Sequence, residues 1–274
     1  MIAFDIYWWP VYRYGIFYAI TFAFGYFFFW LLIQRKTMQR YPHLQSFLVQ
    51  HSEDLIVAVM LGVLLWGRLG HIFFYEWSYY QQHLWEILQI RQGGMSFVGG
   101  FIGVVIALIR SMRKRKLSWQ ELLILGECVL CVVPLGSLLG RVGNFLNQEL
   151  VGRTVASLSQ GWQELVRSMW LEVLYPQVDL VARVNVNLLQ AAGEWLFLRI
   201  LMLFLFNYVY VQKKSAPGLL AGIYCIGYAL IRFMLEWAKE LPATEIIWRF
   251  SVSQWLMLVM AGAGMGILVY RKRT

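Results

Sequence analysis

The sequence predicts an all-α integral membrane protein, with seven transmembrane helices and a small extracytoplasmic head domain, in a single membrane domain over residues 1–274. Three observations predict it. Hydrophobic residues fill 59% of the positions and charged residues only 14%, far from the balance of a water-soluble domain of this length. Seven stretches approach the roughly 20 apolar residues that cross a bilayer core. Lys and Arg collect in connections that one seven-helix path places on a single side.

The first span reads 14–33 and follows an aromatic N-terminus that begins at Tyr7. Nothing there has the basic flank, short apolar core and small-residue cleavage site of a removable signal, so the first helix is expected to stay as an anchor. Residues 34–53, with Pro42, form a cytoplasmic connection, and 54–74 form the second span. The third, 94–109, is short, and the segment 79–92 before it is expected at the membrane interface. The fourth span is 119–139; residues 144–187 after it, rich in Trp, Glu and Gln, form the head. The remaining spans are 192–211, 217–235 and 252–270.

Orientation follows from the basic clusters, which are retained in the cytoplasm. They are Arg35, Lys36 and Arg40; Arg110, Arg113, Lys114, Arg115 and Lys116; Lys213 and Lys214; and Arg271, Lys272 and Arg273. The N-terminus is then outside and the C-terminus cytoplasmic. These clusters account for most of the net charge of +9, so anionic lipid is the simpler partner and nucleic acid is not needed to explain it. Cys128, Cys131 and Cys225 all fall inside spans, and the C-x-x-C pair has no other Cys or His nearby. They read as small buried hydrophobes, with no metal site implied.

Residues that are expensive near lipid gather at the outer helix ends. Tyr14 opens helix 1; Arg68 and His71 lie in the outer part of helix 2; the run from Gly93 to Gly100, with Gly94, Ser96 and Gly99, opens helix 3. Arg141, Asn144, Asn147, Glu149 and Arg153 follow helix 4, and Arg232 and Glu236 close helix 6. Several guanidinium forks in an outer cavity suit a phosphate, and a phospholipid headgroup is the natural ligand. The alternative is that each Arg snorkels or pairs for packing alone, as Arg91 and Arg249 read. Arg232 and Glu236, four apart on one helix face, would form an ion pair under either reading. Arg199 falls inside the fifth span and is expected to face the interior or a wet cavity, without an assigned role. The Gly-rich run lacks the G-x-x-x-x-G-K-[ST] pattern; its glycines suit close helix packing or the approach of a headgroup to the backbone.

The segment Gly140-Arg141-Val142-Gly143-Asn144-Phe145-Leu146-Asn147-Gln148-Glu149-Leu150-Val151-Gly152-Arg153 resembles the signature G-R-x-G-N-F-[IL]-N-G-E-x-x-G-R of the bacterial prolipoprotein diacylglyceryl transferases. Further matches follow in the family's order. They are Tyr14-Gly15, Gly67-Arg68-Leu69-Gly70, the Gly93 to Gly100 run against G-G-M-S-F-H-G-G, Pro217-Gly218, Gly227-Tyr228, Arg232-Phe233 with Glu236, and Ser253-Gln254-Trp255. The resemblance implies transfer of diacylglycerol from phosphatidylglycerol to the lipobox cysteine of a prolipoprotein, in the bacterial inner membrane and without a cofactor. It assigns Arg141 and Arg232 to the phosphate or leaving group, Asn144 and Asn147 to hydrogen bonds in the headgroup site, and Glu149 and Glu236 to orienting the arginines. Tyr14 would contact substrate at the cavity mouth and Gly152 would permit close backbone approach. Arg68, Gly94, Ser96, Gly99 and Arg153 complete the expected substrate-binding set.

The chain departs from the family where the histidine of the Gly-rich run is Val98, and where H-P-S-Q-L-Y-E corresponds to Val184 through Gln190. Valine takes no proton, so His71, where the family more often has Tyr, is the candidate replacement imidazole. A histidine packed at the interface, or a thiol already ionised by nearby arginines, would need no such base. Two other functions compete. A relative that binds lipid or prolipoprotein without turnover would explain both valines; a secondary transporter would require paired broken helices and a midplane site that the sequence lacks. A monomer is the expectation because the site is complete in one chain.

Overall fold

The computed structural model describes residues 2–6, 9–33, 41–89, 94–212, 216–242 and 245–271. Tyr7, Arg35, Lys36, Arg40, Arg91, Gly93, Lys213, Lys214, Lys272 and Arg273 lie outside the described residues. The chain divides into two compact units, residues 29–129 and residues 1–28 with 130–274.

The 29–129 unit is built on a close pair of helices. After the end of α1 (Arg13–Ile33) comes α2 (Pro42–Phe74), 33 residues opened by a proline that needs no helical N–H partner and kinked where His51 leaves helical geometry. A short α3 (Trp77–Tyr80) and a 3₁₀ turn (Leu84–Leu88) lead to α4 (Phe97–Arg115), then α5 (Trp119–Leu130). Glycines let α2 and α4 approach backbone to backbone: a Cβ on Gly70 would stand 2.6 Å from the Gly99 Cα, and one on Gly62 2.6 Å from the Gly103 carbonyl oxygen. Ser96 starts α4 as its N-cap, its Oγ accepting the Gly99 N–H at 3.2 Å while its own N–H donates to the Gly67 carbonyl at 2.9 Å.

In the other unit the N-terminus forms a hairpin, β1 (Ile2–Ile6) against β2 (Trp9–Tyr12), before the start of α1. Helix α6 (Val133–Leu146) begins at a proline, which separates it from α5 across Cys131 and Val132. A small folded insertion follows: a 3₁₀ turn (Val155–Ser157), α7 (Gln160–Ser168) and a hairpin of β3 (Glu172–Tyr175) with β4 (Asp179–Val184). Its core is Val155, Val166, Leu171 and Val184, with Leu158, Ala182 and Leu189 packed against it. Next, α8 (Val186–Gln190) runs through a π-helical turn (Ala191–Phe197) into α9 (Leu198–Phe206) and a second π turn (Asn207–Val211). Helices α10 (Leu219–Glu236) and α11 (Val252–Tyr270) pack together where Gly222 meets Gly264, joined through the two-residue strands β5 (Ile246–Ile247) and β6 (Phe250–Ser251).

The molecule is mostly helical, and among the described residues five helical runs are long and apolar enough to cross a membrane. They are Pro42–Phe74, Trp119–Leu146, Val186–Val211, Leu219–Glu236 and Val252–Tyr270. The first and third expected spans fall on the helices α1 and α4, which are not among these five: α1 has a shorter apolar core, Ala19–Leu31, and α4 ends in Arg113, Lys114 and Arg115. The three antiparallel hairpins, β1–β2, β3–β4 and β5–β6, are a difference from an all-α reading; Ile, Val, Phe, Trp and Tyr recur in their strands, residue types that favour extended backbone. The cysteines are free and buried.

Candidate active site

The 1–28 and 130–274 unit buries a chain of charges contributed by α6, the first π turn, α10 and the residues just after α10. Arg141 on α6 meets Glu194 at 3.4 Å, and Ser137, one turn earlier on the same face, donates to the same carboxylate oxygen at 2.5 Å. The π turn carries Glu194; the extra residue in such a turn re-aims side chains relative to an α-helix, and these turns recur at functional sites. Arg232 lies 3.6 Å from Glu194 on one side and 3.6 Å from Glu236 on the other. Lys239 completes the chain, its Nζ 3.0 Å from Glu236 Oε2.

These side chains are almost wholly removed from solvent: Glu194 is 0% exposed, Glu236 2%, Lys239 4% and Arg232 11%. Buried charge is tolerated only among partners, so each group here depends on the next. With Lys239 protonated the balance is uneven, the three cations Arg141, Arg232 and Lys239 set against the two carboxylates Glu194 and Glu236. An anionic ligand would even it, and the guanidinium forks match phosphate oxygens. Burial, reinforced by the nearby Arg232 and Arg141 charges and opposed by Glu236, pushes the Lys239 ammonium down to about 7.

The segment after α6 holds Lys239 by its backbone. Gly152 bridges to Lys239 in antiparallel fashion, the Arg153 N–H donates to the Ala238 carbonyl at 2.9 Å, and the Glu240 N–H to the Val151 carbonyl at 3.2 Å. Arg153 Nε also reaches the Lys239 carbonyl at 3.3 Å. A side chain at position 152 is barred, since its Cβ would come within 3.0 Å of the Val184 carbonyl carbon; the close approach expected there is to protein backbone. Arg183 fastens the outside of this seam, donating to the Gly152 carbonyl at 2.9 Å and pairing with Asp179 and Glu240. Its hydrogen bond holds the Asp179 carboxyl below the usual carboxylate range. Asn147 Oδ1, both amide atoms of Gln190 and the Tyr224 hydroxyl are among the buried polar atoms without a hydrogen-bond partner among the described residues.

The other unit gathers a second set. Arg68 donates to the carbonyls of Glu86 at 2.6 Å and Ile87 at 3.1 Å, and lies 5.0 Å from the centre of the Tyr80 ring. His71 pairs with Glu76 at 3.3 Å and stacks on Tyr75. Gly94, with φ +74, covers both: a Cβ there would meet the His71 ring at 2.5 Å and Arg68 Nη1 at 2.9 Å. Ser96 and Gly99 have the capping and packing contacts given above.

Of the residues expected from sequence, Arg141, Arg232 and Glu236 come together with one another, Gly152 and Arg153 form the seam beside them, and Arg68, His71, Gly94, Ser96 and Gly99 cluster in their own unit. Asn144 and Asn147 close the end of α6, their backbones bonding Glu149 and Gly143. Tyr14 is described only as a backbone position in the first turn of α1. Glu149 is exposed, its carbonyl taking the Asn187 amide at 3.1 Å; the carboxylate between the two arginines is Glu194. Sequence reasoning passed over Glu194, Ser137 and Lys239, although an acidic residue inside an apolar stretch is a signal by itself. Arg199 faces inward as expected, donating to the Cys131 carbonyl with its guanidinium 4.8 Å from the Phe28 ring centre.

A family model described as Prolipoprotein diacylglyceryl transferase matches residues 1–270. Three proteins named phosphatidylglycerol–prolipoprotein diacylglyceryl transferase are each 35% identical to the chain. The one from Nitrosospira multiformis aligns over 95% of this chain and 82% of its own length. The one from Nitrosomonas europaea covers 95% and 85%, and that from Aromatoleum aromaticum 93% and 89%.

Proposed function

The chain belongs to the prolipoprotein diacylglyceryl transferase family, and from that premise we propose that it moves the diacylglyceryl group of phosphatidylglycerol onto the lipobox cysteine of a prolipoprotein. The names of its relatives support both donor and acceptor. The observation that carries the reading is the buried cation-rich chain of Arg141, Glu194, Arg232, Glu236 and Lys239. A phosphodiester brings one negative charge. When the cysteine thiolate attacks the glycerol carbon that bears the phosphate, a carbon–sulfur bond forms, the carbon–oxygen bond breaks, and glycerol phosphate leaves with a second negative charge. Arg141 and Arg232, already fixed by their carboxylates, meet that charge as it develops without having to reorganise.

Asn144 and Asn147 hydrogen-bond the headgroup, Glu149 and Glu236 orient the arginines, and Tyr14, Arg68, Gly94, Ser96, Gly99, Gly152 and Arg153 are the residues proposed to bind the substrates. His71 is the imidazole that the sequence offers for the thiol proton. The protein is a monomer of the bacterial inner membrane with seven spans, α1 and α4 joining the five long apolar runs. Its N-terminus is outside, its C-terminus is cytoplasmic, and residues 144–187 form an extracytoplasmic head. The compact core around Val155, Val166, Leu171 and Val184 supports the head as a folded piece.

Val98 and Val184 favour a second reading, a relative that binds lipid or prolipoprotein without turning it over. Incubating the purified protein with phosphatidylglycerol and a lipobox peptide, followed by mass spectrometry of the peptide, separates the two. A diacylglyceryl mass on cysteine, absent from an Arg141→Ala control, supports the transferase; a folded, lipid-binding protein that makes no product is the second reading.

A further inference from the structure

We infer that α7, with Trp170 just beyond it, lies on the lipid surface of the outer leaflet and seats the head on the membrane; the choice of leaflet rests on the topology proposed above, with residues 144–187 outside. Trp162, Leu165, Val166 and Met169 recur along α7 at the i, i+3, i+4, i+7 spacing of one helix face. Val166 is the one that enters the head core. The other three are exposed, Trp162 by 62%. The opposite face differs, because its polar groups find partners inside the head: Gln160 Nε2 donates to Glu164 at 3.1 Å, and Arg167 pairs with Glu172 at 3.3 Å. A short helix whose polar face is paired and whose apolar face is open has the pattern of one lying in the plane of a membrane interface.

The end of α7 is an independent sign. The Trp170 N–H donates to the Arg167 carbonyl at 3.1 Å and the Leu171 N–H to the Val166 carbonyl at 2.9 Å, the double closure that ends many helices on a left-handed residue. Trp170 holds that position at φ +57, where glycine is the usual residue, and is 90% exposed. Its indole therefore contributes little to folding where it stands, whereas the boundary between headgroups and acyl chains attracts such a ring.

Leu189 sets the level. The helical run Val186–Val211 holds 26 residues and is long and apolar enough to cross a membrane. At 1.5 Å per residue it measures about 39 Å against a hydrocarbon core of about 30 Å, so each end stands about 4–5 Å into the headgroup layer. Leu189, in the first turn of that run, packs against the cluster of Val155, Val166, Leu171 and Val184. The inner face of α7 thus meets the run about where headgroups give way to acyl chains, and interfacial helices bury their apolar side about 5–10 Å at that boundary. A peptide or a second copy of the chain would have to displace lipid already at that depth. Val155 of the same cluster lies two residues beyond Arg153, so seating α7 on lipid also seats the seam that holds Lys239.

The test places one nitroxide at a time on the full-length protein, through Trp162→Cys, Leu165→Cys, Met169→Cys and Trp170→Cys on the open face and Gln160→Cys and Glu164→Cys on the polar face. The protein is reconstituted in vesicles of phosphatidylglycerol and phosphatidylcholine. Collisions with dissolved oxygen are compared with collisions with a water-soluble nickel chelate supplied on both sides. Wild type, whose three cysteines are free and buried, gives the labelling baseline, and thermal melting is the fold control. The four open-face labels should be at least about threefold more protected from the chelate than the two polar-face labels, with accessibility along α7 varying at a period of about 3.6 residues. Because all four positions are exposed, any two that keep the wild-type melting temperature decide the matter.

Chelate access that is uniform around the helix overturns the inference. So does protection that appears only when a lipobox peptide is added, which would make the stripe a peptide surface, or only at high protein-to-lipid ratio, which would make it a contact between copies. Chelate confined to the exterior of vesicles sorted for orientation reports the leaflet separately. A wrong topology then shows as protection on the other side, and loss of lipid contact shows as no protection on either.

Discussion

The two units bury arginine by opposite means. In the 29–129 unit, Arg68 is held by two main-chain carbonyls and an aromatic ring, neutral partners that fix a cation in place. In the other, Arg141 and Arg232 are held by carboxylates that are themselves fully buried, in a chain whose cations outnumber its anions. Burial is the same in both, so burial does not mark a site. What separates them is that the first arrangement is closed by the protein, whereas the second is left with a charge that a ligand can complete.

The sharpest way to break this comparison is Glu194→Ala, which strands both arginines. It should cost about 3–5 kcal/mol in detergent unfolding, the scale for removing one partner of a buried pair; a loss under about 1 kcal/mol would mean the cluster is wet and loosely coupled. Arg141→Ala takes one cation from buried Glu194, so it should melt below wild type, and the protein that remains folded should lose about 100-fold or more of product on the lipobox peptide. If Arg68→Ala caused the same loss with its fold intact, the division between a completed and an uncompleted arginine would fail.

The packing of the 29–129 unit offers the next contrast. Gly103→Leu drives a side chain into the Gly62 backbone and should cost about 1–3 kcal/mol, read as a lower melting temperature. Gly140, which has open space around it, should accept alanine with no such loss.

Stability against pH sharpens the charge argument. The Lys239 ammonium titrates at about 7 in the folded protein against 10.5 when unperturbed, so between those values the unfolded chain binds a proton that the folded one does not. Stability should therefore rise with pH across that window and level off above it, and Lys239→Met should flatten the slope. Smallest of all, Leu180→Ser, at an 81% exposed position of the β3–β4 hairpin, should change stability by no more than about 0.5 kcal/mol.

Much of this was legible beforehand where one physical pressure acts alone. The span 252–270 coincides with α11 because unbroken apolarity sets its length and the Ser251–Gln254 capping box sets its start. The fourth expected span reads as one hydrophobic stretch, yet it is two helices, since the proline that opens α6 cannot continue α5. Arg141, Arg232 and Glu236 stand out in sequence through their motifs, and the structure brings all three into one cluster. The limit is Glu194, since a motif centred on Arg141 does not name the carboxylate 53 residues further on that pairs with it.

By itself, then, the sequence determined the membrane character and the family, properties set by composition, hydrophobic length and local motif. Only the tertiary structure decided that Glu194 stands between the two arginines and that Lys239 joins them, 53 residues beyond Arg141 in the one case and 3 beyond Glu236 in the other. A π turn sets the direction of the first and a backbone seam with Gly152 sets the second. Neither partner is encoded in spacing along a helix; both follow from which chain segments pack side by side once buried charges must find one another.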